Sequence, residues 1–409
     1  MHVLRSNRPF LSIWMAQLLS RMGDGILSVT IIFLIGSASQ DPWLVGMVLF
    51  AQWGPSVLFG LFAGAIADRV RKHRLMMVAD AVRAVLVLVM LVMKDSAEWL
   101  ILLIFLEGAV TAFYYPARLA YISEIVERER ITEAMGIMQS TYYVTMLLGP
   151  AIGGLLIASH SVAQVFWIDA ASYLGALFFT WLAGRMVPSR NPGRHEPLTA
   201  IFGDLSEGFR VFARTDVLRE LMLIFCPFML VAGLFNTNYN ALLLQEFRLN
   251  GFEFGISEAC LALGAVLGAL SISRIPRQTP LGRQLMYLLS AFSMIMLLVL
   301  PLQLCNGTPF IVPAVCVWSL VCGCFSGLLN AWVMSQLLQL IPLSFRGRGV
   351  SLMQAVVNAG MIVGFLAGGW LAGTAGITRI LVWTGGFSLL GSILFTRSDM
   401  YRKLNALCR

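Results

Sequence analysis

Seven ionisable side chains fall inside long apolar runs of this 409-residue chain: Arg21, Asp24, Asp80, Arg83, Glu107, Asp169 and Glu258. A charge at the centre of a bilayer costs about 3 kcal/mol or more, so such residues are functional candidates by default. Arg21 and Asp24 are three residues apart, share a helix face, and sit near the middle of the run from Phe10 to Gly36. Burial favours the protonated carboxyl and a neighbouring guanidinium favours the carboxylate. A carboxyl held between those influences can take up and release a proton as its surroundings change. Asp24 is therefore read as the main proton-coupling residue, with Arg21 as its partner and a substrate contact. Glu107, central in its own run, is the second proton-coupling candidate, the alternative being a hydrogen bond between helices. Asp80 and Arg83 are spaced to pair on one helix face and read as structural. Asp169 and Glu258 lie within two turns of a run's outer end and are expected to reach water at the rim.

Polar and aromatic side chains recur in the same runs. Tyr114 and Tyr115, Gln139 with Tyr142 and Tyr143, Asn236 with Asn238, Tyr239 and Asn240, Asn330 with Trp332, and Gln354 with Asn358 form the set. Amides in apolar surroundings offer a few placed hydrogen bonds, and rings offer adaptable area. Taken singly, each reads as an interhelical bond. Together they read as the wall of a site for an amphipathic organic molecule.

The elements that must position these residues follow from composition. Hydrophobic residues make up 58% of the chain and charged residues 12%, with a mean hydropathy of +0.80. Soluble domains carry about 25% charged residues, so a water-soluble body is excluded, as are disordered, collagen-like, coiled-coil and disulfide-stapled folds. The apolar segments run roughly 10–36, 43–67, 75–93, 99–118, 134–159, 164–187, 217–244, 253–273, 284–304, 309–338, 348–373 and 377–396. Each can cross about 30 Å of hydrocarbon as a helix, which argues against the ten-residue alternating segments of a lipid-facing barrel. The expected fold is an all-α membrane protein of 12 transmembrane helices in two six-helix, pseudo-symmetric halves. Those are residues 1–187 and 217–409, joined by a linker at 188–216. The linker opens on a Pro and Gly turn signal, and Phe202, Leu205, Phe209 and Phe212 then recur at helical spacing, as in an amphipathic surface helix.

With the N-terminus placed in the cytoplasm, inner segments hold twenty-four Arg and Lys and outer loops three, Lys94, Arg248 and Arg379. That asymmetry puts both termini inside, and the net charge of +8 reads as topology rather than affinity for nucleic acid. The seven Cys mostly lie in apolar runs without a CxxC, and the four His are scattered. No metal site, disulfide framework or cofactor is expected, and no catalytic cluster of an enzyme is visible. The first apolar run is too long for the core of a cleavable signal peptide.

The halves repeat each other. Met138-Gln139 leads to Gly149, Gly153 and Gly154, and Met353-Gln354 leads to Gly364, Gly368 and Gly369, at a constant offset of 215. Duplicated membrane units are a mark of secondary transporters, whose site lies between the repeats. Small residues four apart, at Gly60 and Gly64, Gly149 and Gly153, Gly264 and Gly268, and Gly360, Gly364 and Gly368, permit close helix packing. Their recurrence in both halves is read as a sliding interface between the halves, with Gly149, Pro150, Gly153, Gly364 and Gly368 as its core. Pro150 has Phe365 as repeat partner, so its kink belongs to one half.

The stretch GAIADRVRKHRL from Gly64 resembles the signature loop of the major facilitator superfamily, with Gly64, Asp68 and Arg69 matching and Arg71 in place of a glycine. GPAIGG from Gly149, PARLAYISEIVERERITEAMGIMQ from Pro116, DLSEGFRVFARTDVLREL from Asp204 and the Gly23-Asp24 pair are similar to the subgroup of macrolide, enterobactin and metallophore exporters. The family's span-4 Arg is replaced by Ile104. The resemblance covers essentially the whole chain. It implies a proton-coupled exporter of a small organic molecule, such as a siderophore, metallophore or macrolide-like compound, working by alternating access in a bacterial inner membrane. Its partners would be substrate, protons and the bilayer, and the protein would be a monomer. Gly64, Asp68, Arg69 and Arg71 would then form a conformational latch. A lipid or lysolipid translocator of the same fold is the alternative.

Topology is directly testable. In a Cys-free background, Cys placed at Asp95 is expected to react with an impermeant thiol reagent added to intact cells, and Cys at Ser206 or Ser398 to stay unlabelled. External labelling at Ser206 overturns the orientation.

Overall fold

The computed structural model describes residues 2–159, 162–189, 216–274, 279–340, 346–397 and 401–402. Among these the secondary structure is helical, without strands. A short helix, His2–Ser6, leads into α1, Arg8–Ala38. Then come α2, Pro42–Arg69, α3, Lys72–Val92, and α4, Ala97–Ile125. The first repeat ends with α5, Ile131–Ala158, and α6, Val162–Met186. The second repeat opens with α7, Asp216–Ala241, and α8, Gly251–Leu270. Next is α9, Leu281–Leu297, which a break at Leu298 separates from the short helix Val299–Leu304. The last three are α10, Ile311–Leu340, α11, Arg346–Ala375, and α12, Ile377–Phe395.

Helices prevail because a backbone in hydrocarbon must satisfy its own hydrogen bonds. Among the described residues, 11 helices are long and apolar enough to span a membrane. The segment expected at 217–244 is α7, which is not one of those eleven; its first turns carry Asp216, Arg219 and Glu220. The amphipathic helix expected within 204–214 lies outside the described residues.

The chain forms two compact units. The first is Met1–Ile35 with Val48–Gly203, and the second is Gly36–Met47 with Asp204–Arg409. In the first, Phe10 and Ile13 of α1, Ala67 of α2, Met76 of α3, Tyr121 of α4, Met138 of α5 and Ala183 of α6 share one buried core. In the second, Phe235 and Tyr239 of α7, Phe292 of α9 and Trp318 of α10 form an aromatic cluster with ring centroids 5.5–6.1 Å apart. Edge-to-face rings add roughly 0.5–1.5 kcal/mol per pair beyond their buried area. The tip joining α1 to α2 belongs to this second unit. Its Gly46 faces the Phe365 carbonyl of α11, and Gly369 of α11 backs onto Pro42 and Trp43.

Glycine decides where backbones touch. Gly264 and Gly268 of α8 lie against Leu320 and Cys324 of α10, while Gly323 and Gly327 of α10 lie against Leu261 and Ala265 of α8. Two four-residue glycine spacings thus interlock, as small-residue faces do in lipid. Gly364 of α11 meets Gly233 of α7, and Gly149 of α5 meets Gly25 of α1. Gly149, Gly153, Gly364 and Gly368 were expected at a seam between halves. The nearest neighbours of each lie inside its own unit: Gly153 packs on Ile26 and Val29, and Gly368 on Leu234 and Asn238. Pro150 lies within α5 one residue beyond the Gly25 crossing. Gly60 and Gly64 differ from the other pairs, since a Cβ built on either has nothing within 4 Å.

This contrast yields a prediction. Gly268→Ala places a methyl on the Cys324 carbonyl and is expected to destabilise the protein by about 1–3 kcal/mol through overpacking. Gly60→Ala has open space and should unfold at or above the parental temperature. Thermal unfolding of the purified protein in detergent distinguishes the two, and equal melting of both variants would refute the packing account.

Candidate functional site

The first unit gathers its buried charges around one residue. Arg83 of α3 is 2% exposed and forms an ion pair with Asp80, one turn earlier on the same helix. Its guanidinium lies over the Tyr114 ring of α4 at 4.4 Å and the Tyr173 ring of α6 at 4.5 Å. Such cation–ring contacts contribute about 2 kcal/mol when desolvated. Nη1 of Arg83 also approaches Thr111 Oγ1 at 3.5 Å, and that hydroxyl donates to Glu107 Oε1 at 2.8 Å. Thr111 is one turn beyond Glu107 on α4, so this bond is local.

The Tyr173 hydroxyl then joins two helices. It lies 2.7 Å from Asp24 Oδ1 of α1 and 3.0 Å from Glu107 Oε1 of α4. A tyrosine hydroxyl has one hydrogen to donate and can also accept. Both contacts are hydrogen bonds when one of the two carboxyls carries a hydrogen and gives it to the tyrosine oxygen. The arrangement can therefore hold one proton shared along Asp24, Tyr173 and Glu107. On the open side, Arg21 Nη1 lies 3.7 Å from Asp24 Oδ2, with both side chains about a quarter exposed. Arg21 also faces the Tyr142 ring of α5 at 5.8 Å, and Tyr142 packs edge-on against Tyr143.

Asp169 departs from expectation. Its place near the end of a run predicts access to water, yet it is fully buried. The reason is Gly23: Asp169 Oδ1 and Ser172 Oγ occupy the space a Cβ there would fill, so α6 presses its carboxyl against the α1 backbone. Ser172 Oγ lies 3.2 Å from Asp169 Oδ1, and Oδ2 has no partner. Glu258 in the second unit is half-buried rather than solvated, and its Oε1 is enclosed without a partner.

The other predicted residues fall in several places. Gln139 is exposed, and the neighbouring positions Met138 and Thr141 tie α5 to α1 through Gln17 and Trp14. In the second unit, Asn240 donates to the Asn236 carbonyl at 2.9 Å, and Asn238 donates to Leu234 at 2.8 Å and toward Gly368 of α11 at 3.4 Å. These amides serve their own helix and its neighbour. Trp332 is buried and donates its indole N–H to Gln284 Oε1 at 2.6 Å, which ties α10 to α9. Asn330 is exposed and Asn358 half-buried. Arg69 ends α2 and Arg71 precedes α3, both half-buried. The side chains of Asp68 and Gln354 lie outside the described residues.

Three residues of the cluster carry no role in the sequence reading beyond structure or topology: Tyr173, Thr111 and Arg83. The usable signal was spacing. Thr111 is four residues after Glu107 and Tyr173 four after Asp169, so each stands on the same helix face as an intramembrane acid.

This bundle of apolar helices with ion pairs and carboxyls in its interior has the fold of a multi-pass membrane transporter. It resembles the crystal structure of the nucleoside transporter NupG, with a TM-score of 0.72, 14% identity and 96% and 99% of the two chains covered. The chain matches the family model described as transmembrane secretion effector over residues 4–406, and it belongs to this branch of the major facilitator superfamily. Among its relatives, macrolide efflux protein A of Streptococcus pyogenes is 24% identical over 402 residues, 97% of each chain. The enterobactin exporter EntS of Shigella boydii is 24% identical over 277 residues, 67% of this chain and 65% of the relative.

The shared hydroxyl gives a prediction. Tyr173→Phe keeps the ring over Arg83 and removes only the oxygen between Asp24 and Glu107. It is expected to lower stability by about 1–3 kcal/mol, the cost of leaving buried polar groups unsatisfied. Thermal unfolding against the parent measures this, and an unchanged unfolding temperature would mean that the hydroxyl links nothing.

Proposed function

We propose that this protein is a proton-coupled exporter of a small organic molecule, working by alternating access in the bacterial cytoplasmic membrane with both termini inside. The observation that carries the proposal is the Asp24, Tyr173 and Glu107 triad, in which one hydroxyl bridges two carboxyls on different helices. Charge balance supports it. Arg21, Arg83 and Arg118 supply three positive charges, and Asp24, Asp80, Glu107 and Asp169 offer four negative ones, so one bound proton neutralises the group. Asp24 has a side chain about a quarter exposed, while Tyr173, which bridges it to Glu107, is buried. It is the carboxyl through which the proton enters and leaves. Loss of that proton strengthens the hold of Asp24 on Arg21, and its return loosens it, so the Arg21 guanidinium reads the protonation of Asp24. Asp68 with Arg69 and Arg71 acts as the latch that the signature loop implies.

A macrolide-like or siderophore-like substrate is consistent with the named activities of the relatives. A lysolipid translocator is the second reading. It is favoured by an apolar cavity of about 530 Å³ in the second unit, bounded by α7, α9, α11 and α12 and flanked by the exposed rings of Trp383 and Phe387.

Asp24→Asn is expected to retain substrate binding and to lose gradient-driven uptake into inside-out vesicles, by roughly tenfold or more, which corresponds to about 1.4 kcal/mol. Glu107→Gln is the comparison. Normal accumulation by Asp24→Asn with failure of Glu107→Gln moves the proton to α4. Normal accumulation by both removes carboxyl-based coupling and leaves the lipid reading.

A further inference from the structure

Arg118 of α4 enters the charge balance but none of the hydrogen bonds or ion pairs described so far. It is 6% exposed, and its Nε is enclosed without an acceptor. Among the described residues no carboxylate lies within 4.0 Å of its guanidinium, because Asp80 is taken by Arg83 and Asp24 faces Arg21. Its neighbours are instead the ring faces of Tyr114 at 5.9 Å and Tyr115 at 5.2 Å. Of the charges near it, Arg21 and Arg83 have the same sign, and Asp80, of opposite sign, is ion-paired with Arg83. An Arg two turns from a helix end ordinarily runs its stem outward and keeps its head in water. Arg118 does the reverse, although a buried charge without a partner is among the costlier arrangements a protein can keep.

A second unsatisfied group stands beside it. Tyr114 is 4% exposed, and its hydroxyl is buried with no hydrogen-bond partner. Both groups donate, and a guanidinium has no capacity to accept. The spacing brings them together, since Tyr114, Tyr115 and Arg118 are four and three residues apart on one face of α4. Tyr115 is 49% exposed, so its ring is open on the side away from Arg118. Tyr142, with Arg21 over it, completes the surroundings from α5 and α1.

We propose that Arg118 and Tyr114 form an oxyanion-binding subsite of the transport site, and that the substrate is an organic anion whose carboxylate or phenolate is carried on a planar ring. The guanidinium fork matches the two oxygens of a carboxylate in parallel hydrogen bonds. The Tyr114 hydroxyl adds a third donor. The ring of the substrate lies along Tyr115, where offset stacking is the favoured geometry. A cationic substrate would bring its charge against Arg118, the guanidinium of this cluster that has no carboxylate partner. This inference rests on the transporter reading and supplies its substrate class.

The test is equilibrium binding to the purified full chain in detergent, by calorimetry at one fixed pH with no gradient. Three probes share one ring system and differ in charge: 2-naphthoate, 2-naphthylmethanol and 2-naphthylmethylammonium. Naphthoate should bind at least about tenfold more tightly than the alcohol, and the ammonium more weakly than either, as expected when a bidentate charge-assisted pair is gained or opposed. Arg118→Lys keeps the charge but loses the fork, and should weaken naphthoate by about tenfold while leaving the alcohol unchanged. Tyr114→Phe, which alters one oxygen, should weaken naphthoate about threefold, and it decides the matter if the Lys variant fails to fold. Absence of saturable naphthoate binding, equal binding of the three probes, or full naphthoate affinity in the variants overturns the subsite. Because no proton gradient is applied, these outcomes are separate from the vesicle assay. Loss of anion preference with intact Asp24-dependent transport refutes only the substrate class. Intact anion preference with Asp24-independent transport refutes only the coupling.

Discussion

The first unit depends on how one guanidinium is kept in a place where water is absent. Arg83 is 2% exposed, and the groups that make this tolerable come from three helices, α3, α4 and α6. Asp80 supplies charge from its own helix, Tyr114 and Tyr173 supply ring faces from α4 and α6, and Thr111 supplies an oxygen. Each of these then has a further partner to satisfy. Tyr173 cannot turn away from Arg83 without withdrawing its hydroxyl from Asp24 and Glu107. Thr111 cannot follow Arg83 without leaving Glu107. A change of protonation at Asp24 is therefore felt at the junction of α1, α3, α4 and α6, because the hydrogen bonds that record it are the ones that hold those helices.

Glycine makes that junction possible. Asp169 enters the interior because Gly23 leaves room beside Asp24, and α5 approaches α1 because Gly25 meets Gly149 backbone to backbone. Two glycines of the Gly23-Asp24-Gly25 stretch thus bring two other helices against the residue that carries the charge. In lipid, where helices gain little from the hydrophobic effect on association, this closeness is what gives packing its strength. It also shortens the distances over which the charges interact, and in a medium of low dielectric the interaction rises steeply as distance falls.

Much of this was legible from the amino-acid sequence, and the remainder was not for identifiable reasons. Long apolar runs can only be helices in a bilayer, so the fold class followed from composition and period. Arg21 with Asp24, and Asp80 with Arg83, were legible as pairs because three-residue spacing puts both members on one face. Glu107 was legible as a candidate, but its link to Asp24 was not. That link runs through Tyr173, 149 residues from Asp24 in the chain. Asp169 was misjudged because its distance from the end of a run says nothing about which way the helix turns it. The glycine spacings were legible as close-packing faces, but the backbones nearest to them were not. A four-residue spacing identifies a close-packing face and does not say whose backbone will lie on it. Trp332 and Asn238, read as wall residues, spend their donors on Gln284 and on the Leu234 carbonyl. A buried donor takes the nearest acceptor that completes its hydrogen bonds, whatever its value as a ligand group.

The two repeats have kept the same packing device while diverging in what they enclose. Gly149 against Gly25 in the first unit has its counterpart in Gly364 against Gly233 in the second, at the repeat offset of 215 for the first member of each pair. Around the first crossing lie carboxyls and guanidiniums. Around the second lie amides that bond back to their own helix, with the aromatic cluster of Phe235, Tyr239 and Trp318 beyond them. The ion pairs found among the described residues all belong to the first unit. A conserved crossing geometry with unequal chemistry divides the work. The charged unit can respond to protons because its hydrogen bonds change with protonation. Around the second crossing the described side-chain bonds are those of amides, which do not change with protonation. Under the proposed coupling, the groups that would sense a proton therefore sit around the first crossing.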